Sequence, residues 1–299
     1  MNSTKKIFVA FILNLFFSVF EFVGGAITGS VAILSDALHD LGDAAAIGVS
    51  CFLEKRSTKK PDKTYTYGYA RYSVLGSLIS TFKLIFGSAV VIYNAVSRII
   101  NPVEINKNGM ILFAVVGLII NSCAAFFTSH GESLNQKAVN LHMLEDVLGW
   151  AVVLIGAVVI KFTNFYIIDS IMSIGVAVFI LVNALIHLKE TFDLFMEKAP
   201  HGINSDELTQ HILSIEGIEG VHHLHLWSMD GINNYATMHI VTDSKASEIK
   251  KKVKEELREH NICHATLELE KSGEKCSEEC CQPSHEHHSH HHHHHNHNH

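Results

Sequence analysis

Proline is scarce in this chain, with four residues among 299, so little interrupts a long helix. A basic excess is missing too. The formal net charge is -7, which speaks against nucleic acid as a partner. The six cysteines do not make a disulfide framework: Cys51 and Cys123 sit in apolar runs, Cys263 in a strand-like segment, and Cys276, Cys280 and Cys281 near the C-terminus. No small-residue cleavage site follows Met1-Asn-Ser-Thr-Lys-Lys6, so the first apolar run reads as a retained membrane helix rather than a signal peptide. There is also no His-Glu-x-x-His, the pattern of a helix-borne zinc hydrolase.

What the chain does have is apolar length. Hydrophobic residues make up 47% of it, and six segments reach membrane-spanning length, at about 7–28, 31–53, 73–97, 109–130, 138–161 and 166–188. A tight Thr28-Gly-Ser30 turn joins the first two. The strongest basic cluster in a short connection, Glu54-Lys-Arg-Ser-Thr-Lys-Lys-Pro-Asp-Lys63, lies between the second and third. The positive-inside rule sets that loop, with Lys5 and Lys6, in the cytoplasm. An even number of spans returns the C-terminus to the same side, where Lys189 and Lys198 follow the sixth. The expectation is a multi-pass protein of the cell (inner or plasma) membrane with both termini cytoplasmic.

Two stretches break the apolar pattern in the same way. Asp36-Ala-Leu-His39-Asp40-Leu-Gly-Asp43 and His142-Met-Leu-Glu145-Asp146 each set a His four residues before an Asp. On a helix those side chains share one face, with Cβ atoms ~6 Å apart. Ionisable groups in hydrocarbon are costly and turn toward one another or toward a cation. His39, Asp43, His142 and Asp146 together offer two imidazoles and two carboxylates, a donor set suited to a tetrahedral divalent metal such as zinc. Mutual hydrogen bonding without a metal is the plainer alternative. Asn14 and Glu21 in the first span line the same cavity or make interhelical hydrogen bonds. Lys83 in the third span suits an ion pair better than a transport role, because a fixed ammonium repels a divalent cation.

After Pro200 the composition becomes that of a small soluble domain, about 200–272. Asn204 with Glu207 marks a helix start, two alternating strands flank Asp230-Gly-Ile-Asn-Asn234, and a charged amphipathic helix at about 247–260 precedes a third strand. This predicts an α+β fold with its helices on one sheet face. Period-two alternation turns Ala236, Met238 and Ile240 inward, with Leu224, Leu226, Ala265, Leu267 and Leu269. His223, His225, His239, His264 and Glu270 then face the open side, as a metal or dimer surface or as a solvated histidine-rich face. Residues 273–299 are a low-complexity tail with Cys276, Cys280, Cys281 and eleven histidines from His285 on, a composition that binds soft and borderline cations weakly. Its run His290–His295 reads as a natural tail or as an engineered tag.

These features resemble the cation diffusion facilitator family of divalent-metal exporters over nearly the whole chain. The two His-x-x-x-Asp stretches, Tyr67-Gly-Tyr-Ala-Arg71 and Val221-His-His-Leu-His225-Leu-Trp227 carry the resemblance. It implies a six-span membrane domain (1–199), a ferredoxin-like or metallochaperone-like cytoplasmic domain that makes a homodimer, and a transport site of His39, Asp43, His142 and Asp146. It also implies cytosolic zinc ligands at His222, His239 and Glu270, with His264 possible. Alternation favours His223 and His225 over His222, which leaves the first-strand ligand open. Ser73 stands where the family usually has Glu, Glu145 adds a carboxylate beside the transport stripe, and the histidine-rich segment is C-terminal rather than between spans.

The function expected is export of zinc, or other divalent metals, in exchange for protons by alternating access, with zinc also a regulatory ligand. The alternatives are a membrane-anchored metal sensor or store and an intramembrane metalloenzyme. Six spans exceed what an anchor needs, and a filled four-ligand site leaves no open position for hydrolysis.

Overall fold

Among the described residues, six helices of 22 to 30 residues occupy the first two hundred positions: α1 (Ser3–Thr28), α2 (Val31–Ser57), α3 (Arg71–Ile100), α4 (Lys107–Thr128), α5 (Leu134–Thr163) and α6 (Ile167–Phe195). The computed structural model describes residues 2–28, 31–100, 107–131, 133–163, 167–274 and 276. Gly29 and Ser30 of the proposed turn, and the cysteine- and histidine-rich tail beyond Cys276, lie outside the described residues. At 1.5 Å per residue such helices match or exceed the ~30 Å of a bilayer's hydrocarbon core. Stretches of α1, α3, α5 and α6 are long and apolar enough to cross a membrane, and α4 holds the shorter Ala114–Thr128. The ionisable stripe of α2 interrupts its apolar run. Phe8, Phe16, Phe52, Phe86, Tyr93 and Phe126 point outward and are exposed, an exterior that suits lipid and not water. The chain is a multi-pass membrane protein.

Inside the bundle α1 packs on α2 and α4, α3 on α6, α5 and α2, and α5 on α4 and α6. Ile7, Ala10, Ile47, Ala124, Val139 and Met143 make one apolar cluster, and Leu84, Ile180 and Ala184 another. Small residues allow the close approaches. At Gly117 a Cβ would come within 2.7 Å of Trp150 and 2.8 Å of Phe17, so only glycine lets α4 reach that aromatic pair, whose rings meet edge to face at 5.5 Å.

The last part of the chain folds as α7 (Ser205–Leu213), β1 (Gly220–Ser228), β2 (Asn234–Val241), α8 (Ala246–Glu259) and β3 (Ile262–Glu270), with strand order β1-β2-β3. The Asn204 side chain caps α7 by accepting from the Asp206 and Glu207 amides. The Asp230 carboxylate accepts from the Ile232 and Asn233 amides and turns the β1–β2 hairpin, with Gly231 at φ 85°. β2 and β3 run parallel: Asn234, opening β2, bonds the Asn261 carbonyl beside the start of β3, and the Thr242 amide bonds the Glu270 carbonyl where β3 ends. Ala236, Met238 and Ile240 are buried, as are Leu208 and Ile212 of α7 and Ile249, Val253 and Leu257 of α8. This α+β core follows the alternation in β2. On β1 and β3 Leu226 is buried while Leu224, Ala265, Leu267 and Leu269 are half-buried, because both strands are sheet edges.

Candidate functional site

Asp43 from α2 and His142 and Asp146 from α5 bring one oxygen, one nitrogen and one oxygen within 4.8 Å of one another. Asp43 Oδ2 is 3.2 Å from His142 Nε2, which is 3.9 Å from Asp146 Oδ2. His39, one turn earlier on α2, has its Nε2 3.9 Å from Asp43 Oδ2 and is exposed. Three of the four stripe residues therefore converge and the fourth stands beside them. Asp43 and His142 are buried, and the Asp146 Oδ2 atom is buried with no hydrogen-bond partner. A buried carboxylate oxygen without a donor calls for a missing partner, and a cation would supply one.

Two further side chains complete the electrostatics. The Lys83 ammonium, from α3, donates to Asp43 Oδ1 and lies 3.5 Å from His142 Nε2. The expectation of an ion pair for Lys83 describes its contact, and the partner is the metal-type cluster itself. Glu145 Oε2 lies 3.5 Å from His142 Nδ1, on the side of the ring away from Asp43. A carboxylate there favours the tautomer with its proton on Nδ1, which frees the Nε2 lone pair for the cluster. Glu145 thus backs the histidine rather than joining the three converging atoms. Asn14 and Glu21 are buried, and Glu21 is not among the converging atoms.

A second buried network went unread in the sequence. Ser73 Oγ donates to Glu54 Oε2 at 2.6 Å, and Asn135 Nδ2 donates to the same oxygen at 3.1 Å and to the Ser50 carbonyl at 2.9 Å. Ser77 Oγ pairs with His187 Nε2 at 2.9 Å. The carboxylate expected at position 73 is absent, and Glu54 of α2 brings one to the Ser73 hydroxyl. The signal available in the sequence was weak, since Glu54 begins a run of charges that looks solvated.

In the α+β segment His222, His239, Glu270 and Cys276 form a second group, again with ligand atoms within 4.8 Å. His222 Nε2 is 3.2 Å from Glu270 Oε2, His239 Nδ1 is 2.7 Å from Glu270 Oε1, and Cys276 Sγ is 3.6 Å from His239 Nδ1. The His222 Nε2 atom is buried and makes no hydrogen bond. Burial pushes the Glu270 carboxyl upward, but the hydrogen bond to His239 and the charge of His222 outweigh it and hold the group below the usual glutamate range.

Strict alternation points to His223 and His225; the structure seats His222. The cause is local. His223 has φ 50°, a left-handed conformation rare in strands, and one irregular residue re-aims its neighbours as a bulge does. His225 is exposed and outside the group, and the His264 ring lies 5.7 Å from that of Tyr235 instead. Cys276, read only as part of the tail, is the added donor.

A multi-span helical bundle with a His/carboxylate cluster buried between spans, and another in the α+β segment, defines a membrane protein built to handle divalent cations. Comparison with known proteins names the class. Residues 7–196 match the cation efflux transmembrane domain and residues 200–272 the cation efflux protein, cytoplasmic domain, so the chain belongs to the cation efflux family. It is 31% identical over 275 residues, 89% of this chain and 88% of the other, to the "Cadmium, cobalt and zinc/H(+)-K(+) antiporter" of Bacillus subtilis. It is 32% identical to the "Zinc transporter ZitB" of Pectobacterium atrosepticum, covering 94% and 89% of the two chains. To the "Metal cation efflux system protein CzcD" of Cupriavidus metallidurans it is 31% identical, over 90% and 87%. These are transporters and not enzymes.

Proposed function

We propose that this chain exports zinc, and related divalent cations, from the cytoplasm in exchange for protons, as a homodimer with both termini cytoplasmic. The observation that carries the reading is the convergence of Asp43, His142 and Asp146 between α2 and α5, with His39 one turn away. The names of the relatives, a zinc transporter and a proton-coupled antiporter, support the same substrate and exchange.

Cation binding needs ionised Asp43 and Asp146 and neutral His39 and His142, and protonation of these groups expels the cation. Expelling a 2+ ion against ~100 mV, inside negative, costs about 4.6 kcal/mol, so one entering proton offsets about half of that electrically and a pH gradient or a second proton supplies the rest. The Lys83 ammonium bonds Asp43, which charge-balances that carboxylate without a proton of its own and leaves His39, His142 and Asp146 to carry the exchanged protons. A rocking of the helices then opens the site to either side. Zinc at His222, His239, Glu270 and Cys276 acts as a regulatory ligand by favouring one arrangement of the dimer.

Purified protein in proteoliposomes with an imposed pH gradient tests this reading. Asp43→Ala and Asp146→Ala abolish zinc uptake while leaving a folded dimer. Normal uptake by both variants would make the stripes structural.

A further inference from the structure

His211 sits in the last turn of α7, and Glu256 and His260 lie one turn apart at the end of α8, with His260 as its C-cap. His211 Nδ1 is 3.1 Å from Glu256 Oε1 and 3.1 Å from His260 Nε2, and His260 Nε2 is 3.3 Å from Glu256 Oε1. The three donor atoms form a nearly equilateral triangle. Tetrahedral zinc with ~2.0–2.1 Å bonds needs ligand atoms about 3.3 Å apart, so this triangle is one face of such a tetrahedron.

Protons alone do not satisfy it. The carboxylate oxygen only accepts, and each ring nitrogen shows either a proton or a lone pair. If both nitrogens carry protons, the His–His edge sets donor against donor. If one does, the other nitrogen sets its lone pair against the carboxylate. If neither does, every edge repels. A cation binds all three lone pairs at once. The helix ends add to this, because α7 and α8 both direct the negative ends of their dipoles here. The side chains are 47%, 25% and 22% exposed, which leaves the fourth position to water.

We propose that His211, Glu256 and His260 form a binding site for a zinc-class divalent cation that clips the C-terminal ends of α7 and α8 together, separate from the His222, His239, Glu270 and Cys276 group. Two imidazoles and one carboxylate select borderline cations over magnesium. The site is independent of the transport reading, since none of its ligands lies in the membrane bundle.

The test is histidine footprinting of the full-length protein with diethyl pyrocarbonate, read residue by residue by mass spectrometry, with zinc chloride or magnesium chloride as the only addition. Zinc protects His211 and His260 with one shared midpoint, and magnesium does not. Glu256→Gln raises that midpoint at least about tenfold, because a neutral amide replaces the only anionic donor. The protection survives in His222→Ala and in Asp43→Ala. Different midpoints for the two histidines, equal protection by magnesium, indifference to Glu256→Gln, or loss of protection in His222→Ala would each overturn the proposal.

Discussion

The ammonium of Lys83 on α3 bonds the carboxylate of Asp43 on α2, so a fixed cation already sits against the cluster a divalent ion would enter. The two compete for one carboxylate. An unpaired buried carboxylate is costly in the absence of metal, and a nearby ammonium is costly in its presence.

Replacing Lys83 therefore moves affinity and turnover in opposite directions. In proteoliposomes, Lys83→Met lowers the KM for zinc by about tenfold, the equivalent of ~1.4 kcal/mol. It also lowers the maximal rate, because the carrier returns with Asp43 uncompensated. Radiozinc uptake across a concentration series reads both. A raised KM would show that Lys83 helps hold the cation.

Glu145 acts through the His142 ring rather than on the cation. Glu145→Gln leaves a fold indistinguishable by circular dichroism but weakens zinc binding about 10- to 100-fold, the usual cost of losing a carboxylate behind a metal-binding histidine. Equilibrium dialysis of the purified protein checks it. An unchanged affinity would mean that the 3.5 Å contact does not orient the ring.

The His222, His239, Glu270 and Cys276 group ties β1, β2 and β3 to the chain beyond them, so zinc bound there would stabilise the α+β segment. At zinc 100-fold above the dissociation constant the gain is about 2.7 kcal/mol. His239→Ala and Cys276→Ser each reduce the zinc-dependent rise in protection of β1–β3 amides, measured by hydrogen exchange of the full chain. A chelator removes the rise from the wild type and changes the variants less.

Asp62 organises the loop between α2 and α3. Its carboxylate accepts from the Tyr65 and Thr64 amides at 2.9 Å each, from the Lys59 ammonium at 2.9 Å and from the Tyr69 hydroxyl at 2.7 Å. These bonds, that of the Tyr65 amide first, hold the carboxyl far below its ordinary range. A depressed folded pKa gives stabilisation that is present above the unfolded value, ~3.9, and lost as pH falls through the folded one. The loop thus keeps its full order from neutral pH down to about 4. Asp62→Asn speeds exchange of the Thr64 and Tyr65 amides at pH 7, and wild-type protection is flat between pH 5 and 8 in ~1-unit steps. A wild-type loop that loosens near pH 6 would contradict this.

Whatever repeats within one element was legible in the amino-acid order. Apolar length marked the helices, i,i+4 spacing set Asp43 with His39 and His142 with Asp146 on shared faces, and alternation in β2 buried Ala236, Met238 and Ile240. Covalent geometry imposes those periods, so they need no knowledge of neighbours. Pairing across elements was another matter. That Lys83 meets Asp43, that Glu54 answers Ser73, and that His211 meets His260 depends on how whole helices pack. That His222 and not His225 reaches Glu270 turns on one residue, His223, in a left-handed conformation. A single irregular φ shifts a strand's faces without changing its composition, and only the folded chain decides where it falls.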